Sequence, residues 1–483
     1  MLACLALALM LVRAVALWAA DPLLGYANNW DQIRTTEVFG LKPQNSGKEI
    51  HAATPEQPWR FYIKAAPLGK PKYLSSDLLV KAIQVGAMTA LSGPIRVMDI
   101  KVAGATLLIV WLAGVLWVFT RMLARPAAAL GFALWGCVLA DPINLLFLNT
   151  LYMEFSAFTA ATLVVGVLWL WLEKRLSTRR TLLTSGLLVL FLTLNRNQWA
   201  YLGVALLPLA LALAYLGQDG NSTLSRRAML GRALVAVMVC AIPIAVFQSQ
   251  HKHFKLIISA NRIDTVMGML LPASRDPQAM LRTLKLPESC LIMSGKIWYT
   301  APTPEFETNC PPIMRLPLMR IGRAVLTEPR VMAPIIRNIS IHDQGFLQNG
   351  LGQVEGKPNA ILASSNTSAA YSMDSVIKML APDWIEALIW LLIASPFALV
   401  IASLAVGARR WAVMFAAQGL LFNYVLFSSI FGDGYIELGR HAVLCFSFGA
   451  LLPILLLTCA CGRLQPGLTN GSPACVVHQG LRL

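Results

Sequence analysis

The sequence predicts an all-α polytopic membrane protein of about ten transmembrane helices, carrying a small external cap domain. Three observations lead there. Of 483 residues, 57% are hydrophobic and only 13% are charged, about half the charged share of a typical soluble domain. Leu-, Ala- and Val-rich runs recur along most of the chain, with charge gathered between them. Several of these runs approach the roughly 20 apolar residues that a helix needs to cross the hydrocarbon core. They are 2–20, 99–120, 127–146, 155–172, 181–195, 199–216, 233–250, 384–407, 411–430 and 441–461.

Taken in order, span 2–20 ends in Leu17-Trp18-Ala19-Ala20, which resembles a signal-peptide cleavage site. There is no basic leading region and Arg13 interrupts the apolar run, so a retained anchor is expected. An arginine in such a place faces the bundle interior or snorkels to the surface. The first external loop, 21–98, is polar and Pro-containing to about Lys72. Residues 75–92 then read as an interfacial amphipathic helix, with Leu78, Leu79, Ala82, Ile83, Val85 and Met88 set against Ser76, Lys81 and Gln84. Asp141-Pro142 should kink or end span 127–146 before Asn144. Only Asn195-Arg196-Asn197-Gln198 separates two neighbouring spans, predicting a tight hairpin or one broken helix. With the loop, residues 1–250 form a transmembrane module.

Residues 251–383 are too many for a passive linker and have the composition of a folded cap. Helices are expected at 276–286 and 314–339. Between them Pro302, Pro304, Pro311, Pro312 and Pro317 predict an extended, turn-rich path. Residues 384–463 hold the C-terminal membrane helices, and the Gly- and Pro-containing tail 464–483 is expected to be disordered in the cytoplasm.

The net charge of +16 does not describe a nucleic-acid binder, because Lys and Arg punctuate the spans instead of forming one patch. One set of short connections holds Arg121, Arg125, Lys174, Arg175, Arg179, Arg180, Arg226, Arg227, Arg232, Arg409 and Arg410. The opposite set holds only Arg196 and Arg440, against Asp141, Glu154, Asp433 and Glu437. The positive-inside rule makes the first side cytoplasmic, and membrane lipid is the general partner. Of nine cysteines, Cys4, Cys137, Cys240, Cys445 and Cys459 fall in spans, and Cys461 and Cys475 lie at or beyond the cytoplasmic end. Cys290 and Cys310 alone fall in an external, oxidising segment and are expected to pair.

Polar residues that do not orient spans collect on the external side. They are Asn28, Asn29, Asp31, Arg34 and Glu37, then Asp141, Asn144, Asn149, Tyr152 and Glu154. Asn195, Arg196, Asn197 and Gln198 follow, and finally Asp433, Tyr435, Glu437, Arg440 and His441. Four helix ends thus carry costly groups at one depth, and a shared polar cavity would satisfy them. No nucleotide-activated donor is available outside the membrane, so an external transferase draws its activated group from a lipid. A polyprenyl-phosphate-linked sugar fits, with its tail in the bilayer and its head in the cavity. Transfer needs a carboxylate to deprotonate the acceptor hydroxyl and cations to hold the leaving phosphate. With a single base the displacement inverts the anomeric centre.

The plan resembles the GT-C class of polyprenyl-phosphate-sugar-dependent glycosyltransferases, and more narrowly a family of polytopic glycan-biosynthesis hexosyltransferases. The residues that carry the likeness are Asn29-Trp30-Asp31-Gln32-Ile33-Arg34, Asn149-Thr150-Leu151-Tyr152-Met153-Glu154, Arg196-Asn197-Gln198, and Gly432-Asp433-Gly434 with Arg440-His441. The chain departs from the family at Trp30, usually Gly, at Gln32, usually aromatic, and at Arg196, more often Lys. Resemblance and chemistry together make Asp31 the base. They make Arg34, Arg196, Arg440 and His441 the contacts for donor phosphate, and Asn29, Tyr152, Glu154, Gln198 and Asp433 those for sugar or acceptor. The acceptor is a cell-envelope glycan or lipid. No metal site is assigned: His251-Lys252-His253 lacks nearby carboxylates, and a divalent cation would require external carboxylates to meet in space. Competing readings are an O-antigen ligase or polymerase, which does not need Asp31, and a lipid or glycan transporter, which would place its polar groups at mid-membrane.

Overall fold

The computed structural model describes residues 1–27, 29–44, 57–69, 73–92, 97–216, 226–250, 254–298, 301, 303–342, 352–357, 360, 372–435 and 438–463. His251-Lys252-His253, Tyr299, Pro302, Glu437 and the expected disordered tail lie outside them.

The chain opens with α1 (Leu2–Ala19), followed by the short α2 (Asn29–Thr36). Strands β1 (Leu41–Pro43) and β2 (Phe61–Lys64) precede α3 (Asp77–Ser92), and β3 (Val97–Asp99) leads into α4 (Ile100–Met122). Then come α5 (Pro126–Leu139), the one-turn α6 (Pro142–Leu145), α7 (Glu154–Leu172), α8 (Thr178–Asn195), α9 (Leu202–Leu216) and α10 (Arg226–Gln250). The segment expected to form the cap holds α11 (Lys255–Thr265), α12 (Leu271–Ala273), α13 (Pro277–Leu284), α14 (Thr303–Asn309), α15 (Leu318–Thr327), α16 (Met332–His342) and α17 (Met373–Lys378), and its buried side chains belong to the same core cluster as the bundle. The last helices are α18 (Pro382–Ala405), α19 (Arg409–Asp433), α20 (Leu438–His441) and α21 (Val443–Arg463).

Among the described residues, seven helices are long and apolar enough to cross a membrane, and up to nine spans result if each bent pair is counted as one. Helices also occupy every other expected span. In lipid only a helix or a closed barrel satisfies its own backbone, so the apolar runs fold this way. Helix α7 is the centre: 94% of its apolar window is buried, against 11% for α18, which presents its flanks outward. A helix apolar all round is either buried in protein or bathed in lipid, and this chain uses both solutions. Helix α1 packs on α5, α5 on α21, and α21 on α19, which with α4 reaches α7, while α8 packs on the other flank of α7 with α9 and α10 behind it. Met10, Ala14 and Leu17 of α1 are buried in that core.

The Asp141-Pro142 break occurs as the sequence dictates. The two halves bend by 61°, and Asp141 caps α6 by accepting from the Ile143 N–H at 3.1 Å. The fully buried Asp141 carboxylate also accepts from Ser372 Oγ and the Met373 N–H, both at 2.8 Å, and pairs with Arg13 Nη2 at 3.7 Å. Arg13 therefore turns inward, tying α1 to the break and to the start of α17. At the basic end, Arg410 Nη1 donates to the Trp171 carbonyl at 2.5 Å and its guanidinium sits 4.8 Å from the Trp171 ring. This joins the C-terminus of α7 to the N-terminus of α19.

Two features depart from expectation. The first loop contains a three-stranded antiparallel sheet, with Leu41 opposite Lys64 and Tyr62 opposite Met98. Tyr62 is buried with Leu23, Leu41, Trp59, Met98 and Leu151. Strands of three or four residues are too short to show a period in a polar segment. In the cap, the proline-rich stretch is helical, not extended. Pro304 lies in the first turn of α14, and Pro311 and Pro312 open a 3-10 turn over Pro311–Arg315. Proline is accommodated there because those N–H groups have no partner within the helix.

Cys290 and Cys310 form a disulfide across a sequence separation of 20. Closing such a loop is worth about 3 kcal/mol in the chain-entropy model. The Cys290→Ser/Cys310→Ser variant should therefore be nicked in the cap at lower protease concentration, whereas an unchanged digestion profile would mean that α13 to α15 hold without it.

Candidate functional site

The C-terminus of α8 is where the site is built. Its last carbonyls have no partners within the helix, and the residues entering α3 supply them. Ser76 Oγ donates to the Phe191 carbonyl at 2.6 Å, the Ser76 N–H to Leu194 at 3.1 Å, and Ser75 Oγ to Asn195 at 2.5 Å. Held by this clamp, Arg196 leaves the helix in extended backbone, φ −146° and ψ 148°. The chain then turns through Asn197–Trp199, where the Asn197 N–H donates to Tyr73 Oη at 3.1 Å.

Arg196 points at the first residue of α7. Its Nη1 lies 2.6 Å from Glu154 Oε1, with the two side chains 9% and 7% exposed. A carboxylate in the first turn also opposes the positive end of the α7 dipole. Glu154 Oε2 is buried and has no hydrogen-bond partner among the described residues. Gln198 reaches the other wall: its Nε2 donates to Ser429 Oγ at 2.8 Å, Ser428 Oγ at 3.3 Å and the His441 carbonyl at 3.2 Å. Tyr424 Oη in turn donates to the Gln198 carbonyl at 2.7 Å. His441 Nε2 lies 3.3 Å from Asp433 Oδ2, linking α20 to the end of α19.

Between these groups is a narrow cleft, lined by Glu154, Arg196, Gln198, Trp199 and His441 among others. It has room for about one water molecule, so a ligand headgroup would enter only as its walls part. On the other side of Arg196, Leu74, Thr193, Pro243, Val246, Phe247 and Gln250 line a second small recess, with room for about one water molecule. Arg196 is thus shared by the two.

Helix α2 is anchored beside the same segment. Gln32 Oε1 accepts from Tyr62 Oη and from the Leu151 N–H, each at 2.9 Å, and Leu151 is three residues before Glu154. Thr35 Oγ1 donates to the Gln32 carbonyl at 3.1 Å, within the turn that carries Asp31 and Arg34. The side chains of Asn29, Trp30 and Asp31 lie outside the described residues, as does that of Arg440; their backbones lie in α2 and α20. Arg34 is half-buried in the last turn of α2.

Of the side chains expected in one cavity, Glu154, Arg196, Gln198, Asp433 and His441 come together. Tyr152 does not join them: it is buried, with its ring edge-on to Phe147 at 5.9 Å. Asn149 is structural too, its Nδ2 donating to the Leu24 carbonyl at 2.8 Å and to Leu17 at 3.3 Å. Burial raises the Tyr435 phenol above its ordinary value, with the neighbouring Asn338 side chain working against the shift. Among the described residues no three His, Cys, Asp or Glu side chains cluster as around a metal ion.

Gly434 fixes the turn after Asp433. It has φ +63°, and a Cβ there would lie 2.7 Å from the Asp264 carbonyl of α11. Gly434→Ala should cost about 1–3 kcal/mol through the backbone strain alone. The check is a lowered unfolding midpoint in detergent, and an unchanged midpoint would show that the turn relaxes away from its positive φ without cost.

Sequence reasoning missed Asp77, Lys81 and Ser156. Asp77 Oδ2 is 3.4 Å from Lys81 Nζ, and Ser156 Oγ donates to Asp77 Oδ1 at 2.6 Å. The signal was present in the i, i+4 charge pair on α3, but a polar face on an interfacial helix reads as facing headgroups. In the fold α3 does the opposite. Leu79 and Ile83 are exposed, while Asp77, Lys81 and Gln84 are buried against the bundle.

Fold and site together define a multi-pass helical membrane protein with a buried ion pair beside a narrow cleft where α7, α8 and α20 meet. The chain belongs to the family of the YfdI N-terminal transmembrane domain, whose family model matches residues 1–465. No curated protein and no solved structure matches it.

Proposed function

We propose that the protein is a membrane glycosyltransferase. It moves a sugar from a polyprenyl-phosphate-linked donor to a cell-envelope glycan or lipid acceptor, on the extracytoplasmic side and with inversion. The observation that carries this reading is the buried Glu154–Arg196 pair at the wall of the cleft, where the second carboxylate oxygen has no hydrogen-bond partner among the described residues. A carboxylate left half-satisfied in a buried site is costly, and a donor hydroxyl would relieve it. The planar guanidinium of Arg196 is the kind of donor group that recognises phosphate oxygens in a bidentate way. On its far side Pro243, Val246 and Phe247 offer apolar side chains along which the first units of an isoprenoid tail could run.

In this reading the donor phosphate sits at Arg196, assisted by Arg440 and Arg34, and His441 is steadied by Asp433. The sugar lies in the cleft against Glu154 and Gln198. Asp31, carried by the turn beside Leu151, removes the acceptor proton as the acceptor oxygen attacks the anomeric carbon. The C1–O bond to phosphate breaks, and the polyprenyl phosphate leaves with its charge held by arginine.

The test is turnover by the full chain in proteoliposomes, supplied with a panel of polyprenyl-phosphate sugars and envelope glycans. Release of polyprenyl phosphate with a product of opposite anomeric configuration is expected. Movement of intact lipid-linked sugar between leaflets without bond cleavage would replace the enzyme with a transporter.

A further inference from the structure

The Glu154–Arg196 pair rests on a second layer of polar side chains. Ser156 lies two residues beyond Glu154, in the first turn of α7, and Asn195 directly precedes Arg196 at the end of α8. Asn195 Nδ2 donates to Ser156 Oγ at 2.8 Å, and Ser156 Oγ donates to Asp77 Oδ1 at 2.6 Å. This chain cross-links the two segments that present the ion pair. Asp77 and Lys81 are 0% and 3% exposed, 3.4 Å apart on the inward face of α3.

Stability alone does not account for so much buried charge. Taking two ions out of water costs several kcal/mol each, and well-packed apolar residues often do as well or better. Helix α3 is already held by Gln84 Nε2 on the Ala103 carbonyl at 2.8 Å, and the clamp on α8 is made by Ser75 and Ser76. What Asp77 adds is direction. Paired with Lys81, the Asp77 carboxylate competes with the Met153 carbonyl, 2.9 Å from Ser156 Oγ, for the serine proton, and at 2.6 Å it draws that proton toward itself and leaves a lone pair for the Asn195 amide. A charge-assisted bond of this length is also stiffer than a neutral one. Lys81 balances the charge without a hydrogen bond of its own among the described residues.

We propose that Asp77 is a positioning residue for the Glu154–Arg196 pair, acting through Ser156 and Asn195. It sets the separation and aim of the two groups and touches no substrate. The consequence for turnover rests on the glycosyltransferase reading; the mechanical link to Arg196 does not.

The test uses the full chain in nanodiscs. Ser156→Thr and Ser156→Val differ only in the hydroxyl, so the pair isolates the bond from side-chain volume. With Thr, the KM for a polyprenyl-phosphate sugar should stay within about threefold of wild type, whereas with Val and with Asp77→Asn it should rise about tenfold or more with kcat little changed. Gln84→Leu, on the same buried face of α3, should leave KM within about twofold. Hydrogen exchange of the backbone amides at 195–199 supplies an arm independent of chemistry, and should speed up in Asp77→Asn and Ser156→Val but not in Gln84→Leu. Equal KM values for the Thr and Val variants, or unchanged exchange in Asp77→Asn, would overturn the proposal. A wild type without turnover, but with the expected exchange pattern, would instead remove the glycosyltransferase reading and leave the positioning role standing.

Discussion

The Asp31→Asn variant is expected to lose sugar transfer by about 10²–10⁴-fold, the usual worth of a general base, while donor binding stays within about threefold. Asparagine keeps the size and one acceptor oxygen of the carboxylate but does not accept a proton, so the loss falls on kcat. The backbone around it should not move. Gln32 holds α2 through Tyr62 Oη and the Leu151 N–H, and Thr35 closes the turn, none of which involves Asp31. Steady-state kinetics with labelled donor, beside binding of the non-transferable polyprenyl phosphate, separates the two effects. Full activity in Asp31→Asn would remove the base and favour a ligase- or polymerase-like chemistry that relies on Arg and His.

How far the sequence reaches is best seen at particular residues. Asp141-Pro142 announced its own break, because proline cannot donate to the preceding turn, and the helix bends there. The tetrapeptide Asn195-Arg196-Asn197-Gln198 announced a turn between two apolar runs, and Arg196 leaves α8 in extended backbone at that point. The meeting of Arg196 with Glu154 was harder to read. It depends on how α7 and α8 pack side by side, which no local pattern specifies. Asp77 was illegible for a different reason. On a water-soluble surface a polar face points out, but at a membrane the apolar face of α3 goes to lipid and the polar face turns inward. The little sheet escaped because β1 to β3 are shorter than any window that resolves a period of two. Gln32, a departure from the resembled family, proved to be the anchor of α2 instead of a weakness in it.

The second large effect concerns the ion pair itself, where structural and functional roles can be told apart by charge. Glu154→Gln alone leaves the Arg196 guanidinium buried beside a neutral amide, and Arg196→Met alone leaves a buried carboxylate without its cation. Removing one partner of such a pair typically costs about 3–5 kcal/mol. Both single variants should therefore reach the membrane in reduced amount and unfold earlier on heating. The double variant Glu154→Gln/Arg196→Met removes both charges at similar volume, and replacement of a whole buried pair is often neutral or stabilising. Its unfolding midpoint should recover to near that of the wild type. If the pair exists only to join α7 to α8, transfer should recover with it. If Arg196 holds a leaving phosphate and Glu154 a sugar hydroxyl, the double variant should be stable and inactive, with donor affinity lost. Thermal unfolding and donor binding measured on the same four proteins decide between these outcomes. The position of Glu154 on the cleft wall favours the second, because its Oε2 has no hydrogen-bond partner among the described residues and a sugar hydroxyl would supply one.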